Sequence, residues 1–520
     1  GNNAIFLYIY CIKLAFMIRY KSNKQMSIEE FKTPWEIKLD KENRWAKLAE
    51  IIPWDELADI YYRNLSKNMG QPAIDARIVI GALIVKHKLQ LDDREAIETI
   101  RENPYIQYFL GLSEYTYEDV FDRSLFTALR YRMGYEKFDS MTVELIKRTD
   151  QYKIKKTSTK SGKDKPPKKP DGSPGETATA DQNQGKLLLD ATVADQMIVY
   201  PTDLGLVNRS REESERIIDE ICATLQLNLK PRTYRRNARK QYLNVAKKKH
   251  KTKREIRTAI GKQLRFLRRN LKSIDTLLDK AQEVPFPLDR RDHKIYFVIQ
   301  HIYEQQMSMY KNGKHSIADR IVNIYQPQVR PIVRGKDKVQ VEFGSKLGVS
   351  LQNGFARINT LSWDAYNEST ELQMQVEKYK EANGYYPEVV ITDKIYGTRE
   401  NRNWLKERGI RFSGKPLGRP PTVPISPNQK KKQKIENGIR NQIEGKFGQG
   451  KNAYGLSRIR ARAAKTSESW IACIMFVMNL IKFSQVFLCS VGEMIKIEFL
   501  DRIFWNIRLL VLNTSRICPE

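Results

Sequence analysis

Cysteine and histidine are both scarce, five of each in 520 residues. The cysteines, at positions 11, 222, 473, 489 and 518, are scattered, odd in number and without a Cys-x2-Cys pair. That pattern excludes a disulfide scaffold and a structural zinc site, and it points to a reducing compartment. No two histidines stand at metal-ligand spacing, so His250 and His315 read as solvated loop residues. Long apolar runs are missing too. The stretch 4–18 is short for a membrane span, contains Lys13 and has no basic start ahead of it, which argues against an anchor or a signal peptide. The chain opens on Gly, with Met17 or Met26 the natural start, so 1–26 is expected to be an extension outside the fold. Negative charge is short as well: 61 Asp and Glu face 91 Lys and Arg, a net charge of +30. An ordinary metabolic enzyme does not carry that excess. A polyanionic partner is implied, nucleic acid and not membrane, because no basic stretch flanks a convincing span.

What is present begins with residues 437–462. Arg440 and Glu444 are four apart and share a face if the segment is a helix. Lys451 follows, although Gly445, Gly448 and Gly450 weaken helix continuity and suggest that Lys451 sits on a turn. Two earlier runs, Lys186-Leu-Leu-Leu-Asp190-Ala-Thr192-Val and Glu388-Val-Val-Ile-Thr-Asp393, look like buried strands with an Asp at or near the carboxyl end. That is where α/β sheets place their chemistry. Asp190, Asp393 and Glu444 would give three hard oxygen ligands, suited to two Mg²⁺ ions for in-line attack at a phosphodiester. Asp195 and Asp203 are rival ligands, the first between two apolar stretches, the second in a Pro/Gly turn.

On these residues the chain resembles the bacterial insertion-sequence transposases of the Asp-Asp-Glu (DDE) type. The run Arg440-x3-Glu444-x6-Lys451 is similar to the signature around the Glu in the branch holding insertion-sequence families four and five, with Asn437 where a Tyr is usual. The blocks at 386–401 and 454–456 resemble family five, and the resemblance covers roughly 30–483. It implies a ribonuclease-H-like core with Asp190, Asp393 and Glu444 as catalytic and metal-binding residues. It implies two Mg²⁺ per site, with Mn²⁺ able to substitute. DNA is then the partner, as transposon inverted-repeat ends and as target, with a homodimer or higher synaptic complex and no membrane. The expected location is cytoplasmic, at the bacterial nucleoid.

The fold class expected is α/β: a ribonuclease-H-like mixed five-stranded sheet flanked by helices, with a basic helical insertion and an all-α N-terminal domain. Residues 27–150 read as helical, with a helix opening at Pro53-Trp54, a buried one at 73–89 and a capping box at Asp92-Asp93-Arg94-Glu95. Their function is either transposon-end binding or packing. Residues 151–184, rich in Lys and Pro, form a mobile linker. The catalytic domain spans 185–483, interrupted at about 209–325. Within that interruption, 230–272 holds 18 Lys and Arg and one acid, Glu255, with Tyr234, Tyr242 and Phe266 interleaved. Arg235, Arg236, Arg239, Lys247, Lys248, Lys249, Arg268 and Arg269 are the candidates there for phosphate contact, which gives affinity and salt dependence without sequence choice. Arg440 and Lys451 would hold phosphates nearer the cut. Three short β-rich runs follow at 339–343, 347–351 and 355–358, then a helix at 373–383 and strands at 389–392 and 410–412. A basic loop at 430–434 precedes the Glu444 helix, and a helix of about 14 residues at 470–483 closes the core. The tail, 484–520, is atypically apolar. A nuclease of the same fold without strand transfer, a DNA-binding relic and a decayed copy are the alternatives.

Overall fold

The computed structural model describes residues 26–34, 38–63, 73–160, 183–281, 285–333, 341–414, 417–418 and 427–488. Of the segments expected above, 1–25, the linker from 161 to 182 and the tail from 489 onward lie outside the described residues.

The N-terminal region is helical. Helix α1 (Arg44–Ile51) starts where the Asn43 side chain accepts from the Trp45 N–H, and α2 (Trp54–Tyr62) follows Pro53. Helix α3 (Ala76–Lys88) is buried along almost its whole length, its Arg77, Lys86 and His87 included. The capping box at Asp92 and Glu95 is formed and opens α4 (Asp93–Glu102). Then come α5 (Pro104–Phe109) and the long α6 (Leu125–Lys160), broken at Gly134 by a φ of 62°. The first ten residues of the expected linker continue α6.

The sheet is mixed and has six strands, not five. Strand β1 (Lys186–Asp195) lies at its centre, antiparallel to β3 (Val341–Gln352) and parallel to β5 (Val389–Ile391), which pairs in parallel with β6 (Arg411–Phe412). The outer edge of β3 carries β2 (Arg330–Val333) and β4 (Phe355–Ser362), both antiparallel. The β3–β4 hairpin turns on Asn353-Gly354, φ 53° and 85°, the left-handed pair that a tight hairpin demands. Two of the three short runs expected at 339–358 are therefore one strand, and β2 is the additional one. Gly344 looks like a turn residue in sequence but lies inside β3. A Cβ there would stand 1.9 Å from the Ala194 carbonyl oxygen, so glycine lets β1 and β3 approach. This α/β arrangement is compatible with a ribonuclease-H-like core.

Alternation along β1 divides the packing. Leu187 and Leu189 join Val390, Leu405 and the apolar side of α11 (Leu372–Asn383) on one face, with α12 (Arg399–Glu407) beside them. Leu188 and Ala194 join the opposite face, against Ile443 and Phe447 of α13 (Pro427–Ala453) and the apolar α14 (Ala464–Leu488). The N-terminal helices belong to this second core. Lys86, fully buried, pairs with Asp93 at 2.9 Å and stands 4.6 Å from the Trp470 ring of α14; Arg130 also grips Asp93, at 2.7 Å. Arg357 of β4 makes a two-pronged pair with Asp139 of α6, at 2.9 and 2.8 Å.

Between β1 and β2 four helices build a core of their own: α7 (Asp203–Thr224), α8 (Arg235–Ala246), α9 (Lys253–Asp279) and α10 (Arg290–Asn312). The interruption thus starts at 203, ahead of the expected 209, because Thr202 caps a helix that absorbs the Pro/Gly turn. Two further expectations are corrected. Residues 430–434 belong to α13 and not to a loop, and α13 runs unbroken through its glycines, so Lys451 is helical. Burial of Ile443 and Phe447 outweighs the low helix propensity of those glycines. Helix α14 has 25 residues, not about 14; it is long and apolar enough to cross a membrane, but 67% of its most apolar window is buried inside the protein.

Candidate active site

Asp190 lies mid-way along β1, opposite Val349 of β3, and its even position sends it to the α13 side of the sheet. Its Oδ1 accepts the Ala191 N–H at 2.8 Å. Asp393 lies two residues past the end of β5 and caps a short 3₁₀ turn, its Oδ1 accepting the Lys394 N–H at 2.7 Å. Glu444 projects from α13, which is anchored by the buried pair Ile443 and Phe447 and by an Arg411–Glu436 ion pair of 2.6 Å to β6. All three open into one cleft of about 700 Å³. Arg440 joins two of them: its guanidinium is 3.1 Å from Asp393 and 3.1 Å from Glu444.

The cleft runs against the charge of the chain. Asp190, Glu342, Glu368, Asp393 and Glu444 line it, with only Lys346, Arg440 and Lys451 to balance them. Burial pushes the Asp190 carboxyl up to about 6; the Ala191 N–H opposes the rise, Glu368 and Asp393 add to it, and Arg440 offsets part of it. A buried carboxyl held above its ordinary range lacks compensating positive charge. The donors are all carboxylate oxygens, the set a hard divalent cation takes, so the residues fit such an ion. Among the described residues no three of them are gathered into a closed metal cluster. Asp190, Asp393 and Glu444 are the side chains that could hold one.

Lys451 reaches into the same cleft but is already engaged, 3.1 Å from Glu342 and 3.5 Å from Asp195. The rival Asp195 therefore sits at the cleft's edge, while Asp203 lies at the start of α7, bound to Arg320 at 2.5 Å and Gln306 at 2.9 Å. Sequence reasoning missed Glu342, Lys346 and Glu368.

The basic candidates of the insertion lie apart from the cleft lining. Arg235, Arg236 and Arg239 are exposed on α8, Lys247, Lys248 and Lys249 follow it, and Arg268 and Arg269 are exposed on α9. Some are partly neutralised: Arg235 pairs with Asp219 at 2.8 Å and Lys248 with Glu255 at 2.5 Å. Arg269 stacks 4.4 Å from the Tyr234 ring. The rest of this face is open positive charge.

Comparison with known proteins bears on both halves of the chain. Residues 390–481, from β5 through Asp393 and Glu444 into α14, match the family described as Transposase DDE domain. Residues 33–132 match the Transposase domain (DUF772) family. An uncharacterized protein, ORF8 in the nfe locus of Rhizobium meliloti, is 29% identical over 164 residues, which is 31% of this chain and 65% of that protein. The chain thus spans about 65% of the length of the curated relative it matches. No solved structure matches. Asp393 and Glu444 thus lie inside a segment similar to a transposase DDE domain, and the N-terminal helices inside one similar to a second transposase domain.

Proposed function

We propose that the cleft cuts the ends of an insertion sequence and joins the freed 3′-hydroxyls to target DNA, on a ribonuclease-H-like core of the family-five kind. The observation that carries this reading is the meeting of Asp190, Asp393 and Glu444, from three distant segments, in one cleft whose charged lining is mostly carboxylate. DNA would be repelled by that lining unless cations enter with it, and a chain of net charge +30 otherwise favours DNA. Asp190, Asp393 and Glu444 would hold the ions. Two bound Mg²⁺, or Mn²⁺ in their place, supply activation of the attacking water or 3′-hydroxyl and neutralise the leaving oxygen.

The chain's own residues do the rest. Arg440, now shared between two carboxylates, is placed to pass to a scissile phosphate once those carboxylates meet a cation. Lys451 would hold a second phosphate at the Glu342 side. The exposed face of α8 and α9 would grip flanking backbone, and residues 27–150 would bind the transposon ends. Two ends must be brought together, so a homodimer or larger synaptic complex at the nucleoid is the expected working form.

End cleavage tests the reading. Labelled inverted-repeat DNA incubated with Mg²⁺ should be nicked by the parent chain and not by Asp190→Asn, Asp393→Ala or Glu444→Gln. Nicking that survives in all three would refute the assignment.

A further inference from the structure

Lys451 is held more closely than the bare need for a cation in the cleft explains. Its Nζ stands 3.1 Å from Glu342 Oε1 and 3.5 Å from Asp195 Oδ2, so two carboxylates share one ammonium. All three side chains are largely buried, at 21% exposure for Lys451, 15% for Glu342 and 26% for Asp195. The carboxylates that Arg440 bridges, Asp393 and Glu444, are instead more than half exposed. The two acids that hold Lys451 come from neighbouring strands. Asp195 of β1 lies opposite Gly344 of β3, and Glu342 stands two residues along the same face, as its diagonal neighbour.

The frame around them stands without the ion pairs. The Ile459 N–H donates to the Asp195 carbonyl at 2.9 Å and the Met197 N–H to the Ile459 carbonyl at 3.0 Å, which joins the segment after α13 to the end of β1. The Ser457 hydroxyl donates to the Lys451 carbonyl at 3.1 Å, and the Leu456 N–H to the Gly450 carbonyl at 2.9 Å. These bonds set the backbone of Lys451 and of Asp195. What the two carboxylates add is the aim of the ammonium.

An ammonium has three N–H donors, and the two acids can accept two of them. The third is left for the cleft that Lys451 lines. Lys451 also lies seven residues past Glu444, two helical turns along and on the same face. A lysine stem is flexible, and an unheld ammonium would swing towards that exposed carboxylate.

We propose that Glu342 and Asp195 are positioning residues for Lys451: they turn its third N–H towards a phosphate oxygen of the bound DNA strand and keep the ammonium off Glu444. This rests on the function proposed above.

DNA binding and end cleavage, measured on the full chain with labelled inverted-repeat DNA, test it together. Removing negative charge beside DNA by itself strengthens binding, so Asp195→Asn combined with Glu342→Gln should bind at least as tightly as the parent in EDTA. At saturating DNA and Mg²⁺ the same double variant should nonetheless cleave roughly tenfold more slowly, or worse. In a Lys451→Met background the two substitutions should cost no further rate, because their effect passes through the ammonium. Parent-like cleavage by the double variant, or an equal further loss beside Lys451→Met, would overturn the positioning role and leave the wider reading standing. A parent that binds the ends without cutting them would overturn both. If the double variant does not fold, Asp195→Asn alone decides by the same comparison.

Discussion

Replacing Asp190 by Asn should make the metal-free protein more stable, not less, at neutral pH. The carboxyl ionises at about 6 in the fold against an ordinary 3.8, chiefly because it is buried, so its charged form is disfavoured there by on the order of 3 kcal/mol. The sign follows from proton uptake. Between those two values the folded state binds a proton that the unfolded state has lost, so stability falls as pH rises through the window. The carboxyl imposes no penalty below 3.8 and its full penalty above about 6. Asn carries no charge to bury. In EDTA at pH 8, Asp190→Asn should therefore exceed the parent by up to about 3 kcal/mol, less the cost of hydrogen-bonding the new amide, and raise the Tm by a few degrees. Towards pH 4 the gain should disappear. Mg²⁺ should then stabilise the parent and leave the variant unmoved. Thermal unfolding at the two pH values, with EDTA and with Mg²⁺, measures all of this. A variant no more stable than its parent at pH 8 in EDTA would refute the account of Asp190 as a strained carboxyl.

Other perturbations bear on other parts of the molecule. Trp470→Ala removes the ring under Lys86 and Arg130 and should destabilise the chain by about 3–5 kcal/mol, read by denaturant unfolding. Charge reversal at Arg236, Arg239 and Lys249 together should weaken binding to any duplex alike. It should also lower the salt slope by roughly one for each phosphate no longer neutralised, measured by titration at several salt concentrations. Arg440→Gln should slow end cleavage while Mn²⁺ affinity is kept or increased, since the guanidinium no longer competes for Asp393 and Glu444. Loss of Mn²⁺ binding in that variant would contradict the role given to Arg440.

Much of the site was legible because strand ends and helix faces announce themselves. Asp393 stands just past an apolar run that only a buried strand explains, and Arg440 and Glu444 stand one helical turn apart; Asp190, expected near a strand's carboxyl end, is instead mid-strand, because β1 continues to Asp195. Glu368 was not legible, for its place depends on Lys346 and Asn401, which come from a different strand and a different helix. The continuity of α13 was hidden for a related reason. Local propensity argues against a helix through Gly445, Gly448 and Gly450, and only the packing of Ile443 and Phe447 on the sheet restores it. Gly344 would weaken an isolated strand, yet here it permits two strands to come close. The joining of the N-terminal helices to the core through Trp470, Lys86 and Arg130 likewise depends on residues hundreds of positions apart.

Strand joining tests the central claim most directly. The chain is incubated with Mg²⁺, a target plasmid and labelled DNA carrying the inverted repeats that flank its gene, beside Asp393→Ala. Joined product from the parent and none from the variant is the expected result. Folded parent protein that binds the ends but neither cuts nor joins them would contradict it.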